Sequence, residues 1–375
     1  MTKKILTLLF SVIILVIPTY GQLSKNITVN TPGTLESQLG IDKAKVTDLV
    51  LTGTINDADF TTIKQMSGLK NLDMKNVNIE NGVIPSRAFQ SKIMEGKIIF
   101  PTSLKSIGSN AFRAGRFGEL DFKACQGLEE IGFEAFWNTN LTTNKVLDFS
   151  ICNKLTRLLN ENGFGTFGGF GGHVILPRNL IRIPNLSFAR FTGSVDLPPV
   201  LEVIAEYAFF SVQSSAKLIF PVSLKSIGSN AFRSSSFGEL DFSACQELEE
   251  IGSEAFWSTN LKANNILDFS LSKKQIRLLT VNGFGTFGDF SGHVILPRNL
   301  VEIPNFSFAR FKGSIDLSPV LETIGESAFA NSVFTKGIVF PNSLKTIGTR
   351  AFYNSTIPSV SFEQMDPSQS GVSCF

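Results

Sequence analysis

Histidine is almost missing from this chain: it occurs twice in 375 residues, at His173 and His293. The two are one position copied 120 residues apart. No histidines from different parts of the chain are therefore available for a local metal pair, or for a Ser-His-Asp arrangement built twice. The motifs HExxH and GxSxG are missing too, so no enzyme is expected. Tyrosine (3) and tryptophan (2) are scarce beside 35 phenylalanines. That argues against a broad aromatic platform for sugars. Phenylalanine has no polar handle, so a chain rich in it hides its aromatics. An excess of one charge is missing as well: 34 basic residues face 32 acidic ones, with no Lys/Arg run, which removes nucleic acid as a partner. Beyond the N-terminus no stretch is long and apolar enough to span a bilayer.

The N-terminus itself has the layout of a secretory signal peptide. Lys3 and Lys4 precede an apolar run over residues 5–17, and Pro18, Thr19, Tyr20 and Gly21 lead to a cut after Gly21. Without Lys3 and Lys4 the remaining 32 basic residues equal the 32 acidic ones. Gln22 follows the cut, so no cysteine is available there for lipid attachment. The expected mature chain is secreted, or held at the cell surface by something outside it. Export permits disulfides among Cys125, Cys152, Cys245 and Cys374. Cys125 and Cys152 each lie four residues after the Asp of an Asp-Phe pair in consecutive repeats, within disulfide reach if coils stack about 4.8 Å apart. The alternative is a pair of small buried thiols. Ser272 at the copied position of Cys152 shows that the fold does not need the bond.

What the chain has is repetition. IFPTSLKSIGSNAF at 99–112 returns as IFPVSLKSIGSNAF at 219–232 and, degraded, as VFPNSLKTIGTRAF at 339–352; HVILPRNL at 173–180 returns at 293–300. Inside the 120-residue period a corner phenylalanine recurs at Phe89, Phe112, Phe136, Phe164, Phe188, Phe209, Phe232, Phe256, Phe284, Phe308, Phe329 and Phe352. Units of 20–30 residues with a fixed apolar skeleton signify a solenoid. Here a five-coil block is duplicated and begun a third time, giving twelve coils over residues 81–362.

Each coil reads as a short strand, a Pro or Ser that ends it, and an apolar frame such as Leu224, Ile227, Ala231 and Phe232 on the opposite wall. Strands of successive coils should pair in parallel, and the enlarged coil at 162–168, copied at 282–288, should hold a bulged turn. Residues 22–80 read as a degenerate capping region, with strands at 46–51 and 69–74 around a helix at 57–66, Asp57 or Asp59 lying near its N-cap. The tail at 363–375 is a poor polar cap, which leaves a fragment or an end packed on a partner as the alternatives.

The skeleton Leu-x-x-Ile-Gly-x-x-Ala-Phe, at 104–112, 128–136, 224–232 and 248–256, resembles the BspA-like class of leucine-rich repeats, with looser copies over residues 82–362. The resemblance implies a leucine-rich-repeat solenoid with short parallel strands on one face and turns or short helical and irregular segments on the other. It also implies an exported protein associated with adhesion to host or neighbouring-cell surfaces, whose partner is a protein or glycan there. The family often has a Cys three residues after the Phe. Gly115, Thr139 and Ser235 stand there instead, so no ligand is carried over from a relative. The alternatives are a structural spacer presenting another domain, or a carbohydrate-binding accessory protein.

No cofactor is expected. Gly163-x-Gly165-x-x-Gly168 matches a dinucleotide fingerprint in form but follows no βαβ pattern. The strands carry more information, because alternate side chains face outward. The outward residue before the last buried one runs Ile99, Asp121, Asp148, Ile175, Asp196, and then Ile219, Asp241, Asp268, Ile295, Asp316. Two residues earlier the series is Lys97, Glu119, Val146, His173, Ser194, and then Lys217, Glu239, Ile266, His293, Ser314. The candidate ligand-binding face is therefore Glu119, Asp121, Asp148, His173 and Asp196 with their copies Glu239, Asp241, Asp268, His293 and Asp316. Adjacent Asp121 and Asp148, like Asp241 and Asp268, would repel unless solvated or countered. They suit a basic partner better than a metal, since no ordered ligand loop is visible. Trp137 and Trp257, each just after a corner Phe, either stack on a sugar or pack against the enlarged next coil.

Overall fold

A computed structural model describes residues 21–159, 165–281 and 283–363. Residues 1–20 of the expected signal peptide, the tail beyond residue 363, Phe164 and Cys374 lie outside the described residues. The chain winds as a parallel β-solenoid of about 14 turns. Its first ladder is built from the expected strands: Lys217–Ile219 lies parallel to Glu239–Asp241, with Leu218 opposite Leu240. Both leucines are buried and the residues on either side face outward, which is the alternation a pleated strand imposes. Pro221 follows the last ladder donor, Phe220 N–H to Asp241 O, so its missing N–H costs nothing.

The opposite wall is more regular than turns and irregular segments. Two-residue strands form a second parallel ladder there, for example Ser226–Ile227 against Glu250–Ile251. A third, shorter one joins Ser236–Phe237 to Asn260–Leu261. The glycine of the repeat skeleton sits where successive coils touch. A Cβ on Gly132 would lie 2.5 Å from Ser109 N, and one on Gly252 2.3 Å from Ser229 N, so any larger residue would force the coils apart.

The corner phenylalanines form one continuous stack through the core. Ring centroids of Phe89, Phe112, Phe136, Phe167, Phe188 and Phe209 follow at 5.1, 5.3, 5.7, 4.9 and 5.1 Å. The stack continues through Phe232, Phe256, Phe287, Phe308 and Phe329 to Phe352. This corrects the corner of the enlarged coil. Phe287, not Phe284, occupies it: Phe287 is fully buried, whereas Phe284 is 47% exposed and packs edge-on against Trp257. The described copy of the first-block corner is Phe167. The extra length of this coil includes a turn closed by an antiparallel bridge between Val281 and Phe284, with Gly283 at φ +79°. Each fully buried ring contributes roughly 2–3 kcal/mol of apolar transfer.

At the N-terminal end β1 (Ser24–Val29), β2 (Asp48–Ile55) and β3 (Asn71–Ile79) head the same sheet that continues through Ile93–Ile99 and Arg116–Asp121. A short helix α1 (Leu35–Leu39) and the expected helix α2 (Asp57–Gln65) pack beside them. The N-cap of α2 is Asn56, and Asp59 is the third helical residue of a capping box. Asp59 is fully buried, and it also accepts from Gly33 N–H and Leu35 N–H, which ties α1 to α2. At the other end of α2, Lys92 Nζ donates to Lys64 O and Met66 O. Burial lowers the Lys92 pKa to about 8. The pairing of Cys125 with Cys152 is not formed. Both are free and buried, as is Cys245. Burial pushes the Cys152 and Cys245 thiols up to about 12.

Candidate ligand-binding face

The first ladder places every candidate residue on one outward strip, and the strip is largely self-neutralised. Lys97 Nζ lies 3.2 Å from Glu119 Oε1 and 2.6 Å from Asp121 Oδ2. Its copy Lys217 lies 3.1 Å from Glu239 Oε1 and 2.8 Å from Asp241 Oδ2. One lysine thus counters two carboxylates on the next strand, a geometry that the i, i+2 spacing of Glu and Asp creates. Partial burial works against the Asp241 carboxylate, but the Lys217 and Ser243 hydrogen bonds outweigh it and lower the pKa to about 2. Asp121 is lowered in the same sense, with Lys97 and the Lys123 N–H outweighing burial. The Lys97 and Lys217 ammonium groups are raised by the same hydrogen bonds.

The two histidines tie neighbouring strands. His173 Nδ1 is 2.8 Å from Ser194 Oγ and its Nε2 is 3.1 Å from Asp196 Oδ2. His293 repeats both distances with Ser314 and Asp316. Each copy thus gathers a serine, a histidine and an aspartate. Serine stands on Nδ1 and aspartate on Nε2, the reverse of a serine-hydrolase triad. The ring acts as a cross-strand link in each block.

Asp148 and Asp268 differ from the other eight candidates. Their carboxylates accept from the N–H groups of Ser150 and Ser270, in tight Asx turns. Among the described residues neither has a cationic neighbour in an ion pair. The gaps in the ladder fall beside them. Val146–Asp148 is hydrogen-bonded to His173–Ile175 but not to Arg116–Asp121, and Ile266–Asp268 stands in the same relation to Glu239–Asp241. The two expected like-charge pairs therefore face each other across breaks. Breaks also separate Ser194–Asp196 from Lys217–Ile219 and Ser314–Asp316 from Ile338–Phe340, so repulsion is not their common cause. Among the described residues no group of three or more His, Cys, Asp or Glu is placed to hold a metal ion, and no helix is long and apolar enough to cross a membrane.

The tryptophans lie away from the strip, over the enlarged coils. A Cβ on Gly168 would lie 2.0 Å from the Trp137 ring, and one on Gly288 2.2 Å from that of Trp257. Trp257 is 9% exposed, with Arg233 and Arg310 at 6.0 and 5.6 Å from its ring centroid. The glycines of the Gly-Phe stretch thus make room for indole rings. What sequence reasoning missed is the double-donor role of Lys97 and Lys217, each set between two carboxylates. The Lys/Glu/Asp order in consecutive coils was the signal for it.

Comparison with known proteins follows the same lines. A family model described as BspA type leucine rich repeat region matches in six copies, over residues 45–162, 172–276 and 286–375. Between the matched spans it skips residues 163–171 and 277–285, which overlap the Gly-Phe stretches of the enlarged coils. No curated protein matches. Among solved structures, a leucine-rich repeat protein from Bacteroides ovatus ATCC 8483 is 20% identical, over 88% of this chain and 84% of its own, with a TM-score of 0.44. A leucine rich cell surface protein from Faecalibacterium prausnitzii A2-165 is 16% identical, over 76% and 84%, with a TM-score of 0.30. The pneumococcal vaccine antigen PcpA is 17% identical, over 85% and 80%, with a TM-score of 0.36.

Proposed function

This chain belongs to the BspA-type leucine-rich-repeat family, and from that premise we propose that it is an exported recognition module, acting in adhesion to a protein or glycan on a neighbouring cell surface. The strand face is the contact surface in this reading. One observation carries it: along a strip where Glu119, Asp121, Glu239 and Asp241 are countered by a lysine and Asp196 and Asp316 each meet a histidine ring, Asp148 and Asp268 are left, among the described residues, with neither, once in each block. A carboxylate left for solvent on a rigid sheet is cheap to keep and ready for a Lys or Arg of a partner. Half-buried Ile175 and Ile295 stand directly opposite them in the ladder and supply apolar contact beside the charge. A partner that presents a basic residue next to an apolar one fits this pattern. Changing Asp148 and Asp268 to Asn and measuring retention on an immobilised surface extract tests it. Binding should fall by at least tenfold, and unchanged binding rejects the face.

A further inference from the structure

The second ladder breaks at the same place in each block, and the break has a visible cause. Elsewhere each coil of this ladder is joined to the one before it by the N–H just after its buried aliphatic residue. Gly252 donates to Ile227 O, Leu279 to Ile251 O and Gly325 to Ile303 O. In the coils that follow the enlarged ones that position is Pro184 or Pro304, which has no N–H to give. The ladder stops there and starts afresh: Arg157–Leu158 is not paired with Arg182–Ile183, nor Arg277–Leu278 with Glu302–Ile303.

In the second block the break is an open slot of about 570 Å³, within the range of ligand pockets. Ile276, Leu278 and Leu279 stand on one lip, and Leu300, Val301 and Pro304 on the other. Arg277, on the first lip, is paired with Glu250 of the coil before. Gln275 Nε2 donates to Asn299 O and ties the lips at one end. Past Leu279 the chain runs on into exposed Val281 and Phe284, so apolar surface continues beyond the slot.

Backbone groups on both lips are left over. Among the described residues Ile276 O and Leu278 O accept no hydrogen bond, and the Val301 and Glu302 N–H groups donate none. Their counterparts in paired coils are bonded: Val301 O, for example, accepts from the N–H groups of Glu322 and Thr323. Acceptors on one lip, donors on the other and an apolar lining between them suit one kind of occupant. An acyl chain would cover the leucines but strip water from the four polar groups without replacing it. An extended peptide brings an N–H and a C=O with every residue, and apolar side chains at every second one.

We propose that this slot takes an extended peptide segment of a partner protein with alternate apolar side chains. Its N–H groups meet Ile276 O and Leu278 O, and its carbonyls meet the Val301 and Glu302 N–H groups. This is a second contact surface, on the other ladder from the acidic strip, and it does not depend on that strip binding anything.

Calorimetric titration of the purified protein with acetyl-Val-Thr-Val-Thr-Val-amide and acetyl-Leu-Thr-Leu-Thr-Leu-amide, with their analogues N-methylated at every backbone nitrogen, and with laurate tests this. At least one peptide should bind, its N-methylated analogue at least tenfold more weakly, and laurate not at all over the same range. Hydrogen exchange on the wild-type protein should show the Val301 and Glu302 amides protected when the peptide is bound. The double variant Pro184→Gly/Pro304→Gly restores the missing donors with the residue that six other coils carry at this position. It should close the breaks and weaken peptide binding at least tenfold. Failure of both peptides to bind, equal binding of the N-methylated analogue or of laurate, no gain of protection at residues 301 and 302, or wild-type affinity in the double variant would overturn the proposal.

Discussion

Phe284 and Phe287 stand three residues apart in a Gly-Phe-Gly-Thr-Phe-Gly run, and they have opposite fates. Phe287 continues the ring stack, whereas Phe284 lies half in solvent beside Trp257. Spacing from the flanking corners could not choose between them, because the coil is enlarged and its extra residues could be placed on either side of the corner. Phe287→Ala should cost about 3–5 kcal/mol and Phe284→Ala under about 1 kcal/mol, read from denaturant midpoints. Asp241 tests the face at the same scale. Its folded pKa of about 2 lies below the roughly 3.9 of an unfolded Asp, so its contribution is present above about pH 4 and lost as pH falls toward 2. The slope of stability against pH over that window should flatten in Asp241→Asn; an unaltered slope would show that Lys217 does not hold this carboxylate. The thiols act at the other end of the scale. Cys152 and Cys245 are raised to about 12, so the stability they support is full below about pH 8.5 and is lost as pH rises toward 12. Cys152→Ser, which copies Ser272, should fold and lose part of that alkaline sensitivity in thermal melts taken from pH 8 to 11.

Strands of the first ladder were legible because an apolar residue followed by Pro or Ser closes most of them and the alternation before it is regular. The second ladder was not legible as strand. Its two-residue segments, such as Ser226–Ile227, show one buried and one outward side chain, too few to reveal a period. The breaks in the first ladder left no trace in sequence either, since the strands on both sides of a break have the same pattern as those that pair. At the N-terminal end the helix was visible from its polar start. Its ties were not: Asp59 and Lys92 act on elements 24 to 28 residues away. Lys92→Met would leave the carbonyls of Lys64 and Met66 without this donor, and should cost about 1–3 kcal/mol in chemical unfolding while leaving the far coils' hydrogen-exchange protection intact. Loss of protection throughout would mean that the first coils nucleate the whole stack.

Duplication governs the whole molecule, and it was the most legible property of all, since long identical strings need no structural interpretation. It makes the molecule its own control. Lys97 and Lys217, or His173 and His293, repeat their contacts almost to the tenth of an ångström. The candidate strip was legible as far as orientation goes, because strand alternation alone sets it. Which of its carboxylates are countered depended on side-chain reach between coils, and only the folded geometry singles out Asp148 and Asp268. The most direct measurement compares retention of the wild-type protein on an immobilised cell-surface extract with two variants: Asp121, Asp148, Asp241 and Asp268 all changed to Asn, and a control with Arg157→Gln and Arg277→Gln on the second ladder. The strand-face account predicts that the first variant loses binding and that the control keeps it. Retention by both, or loss in the control alone, would contradict it.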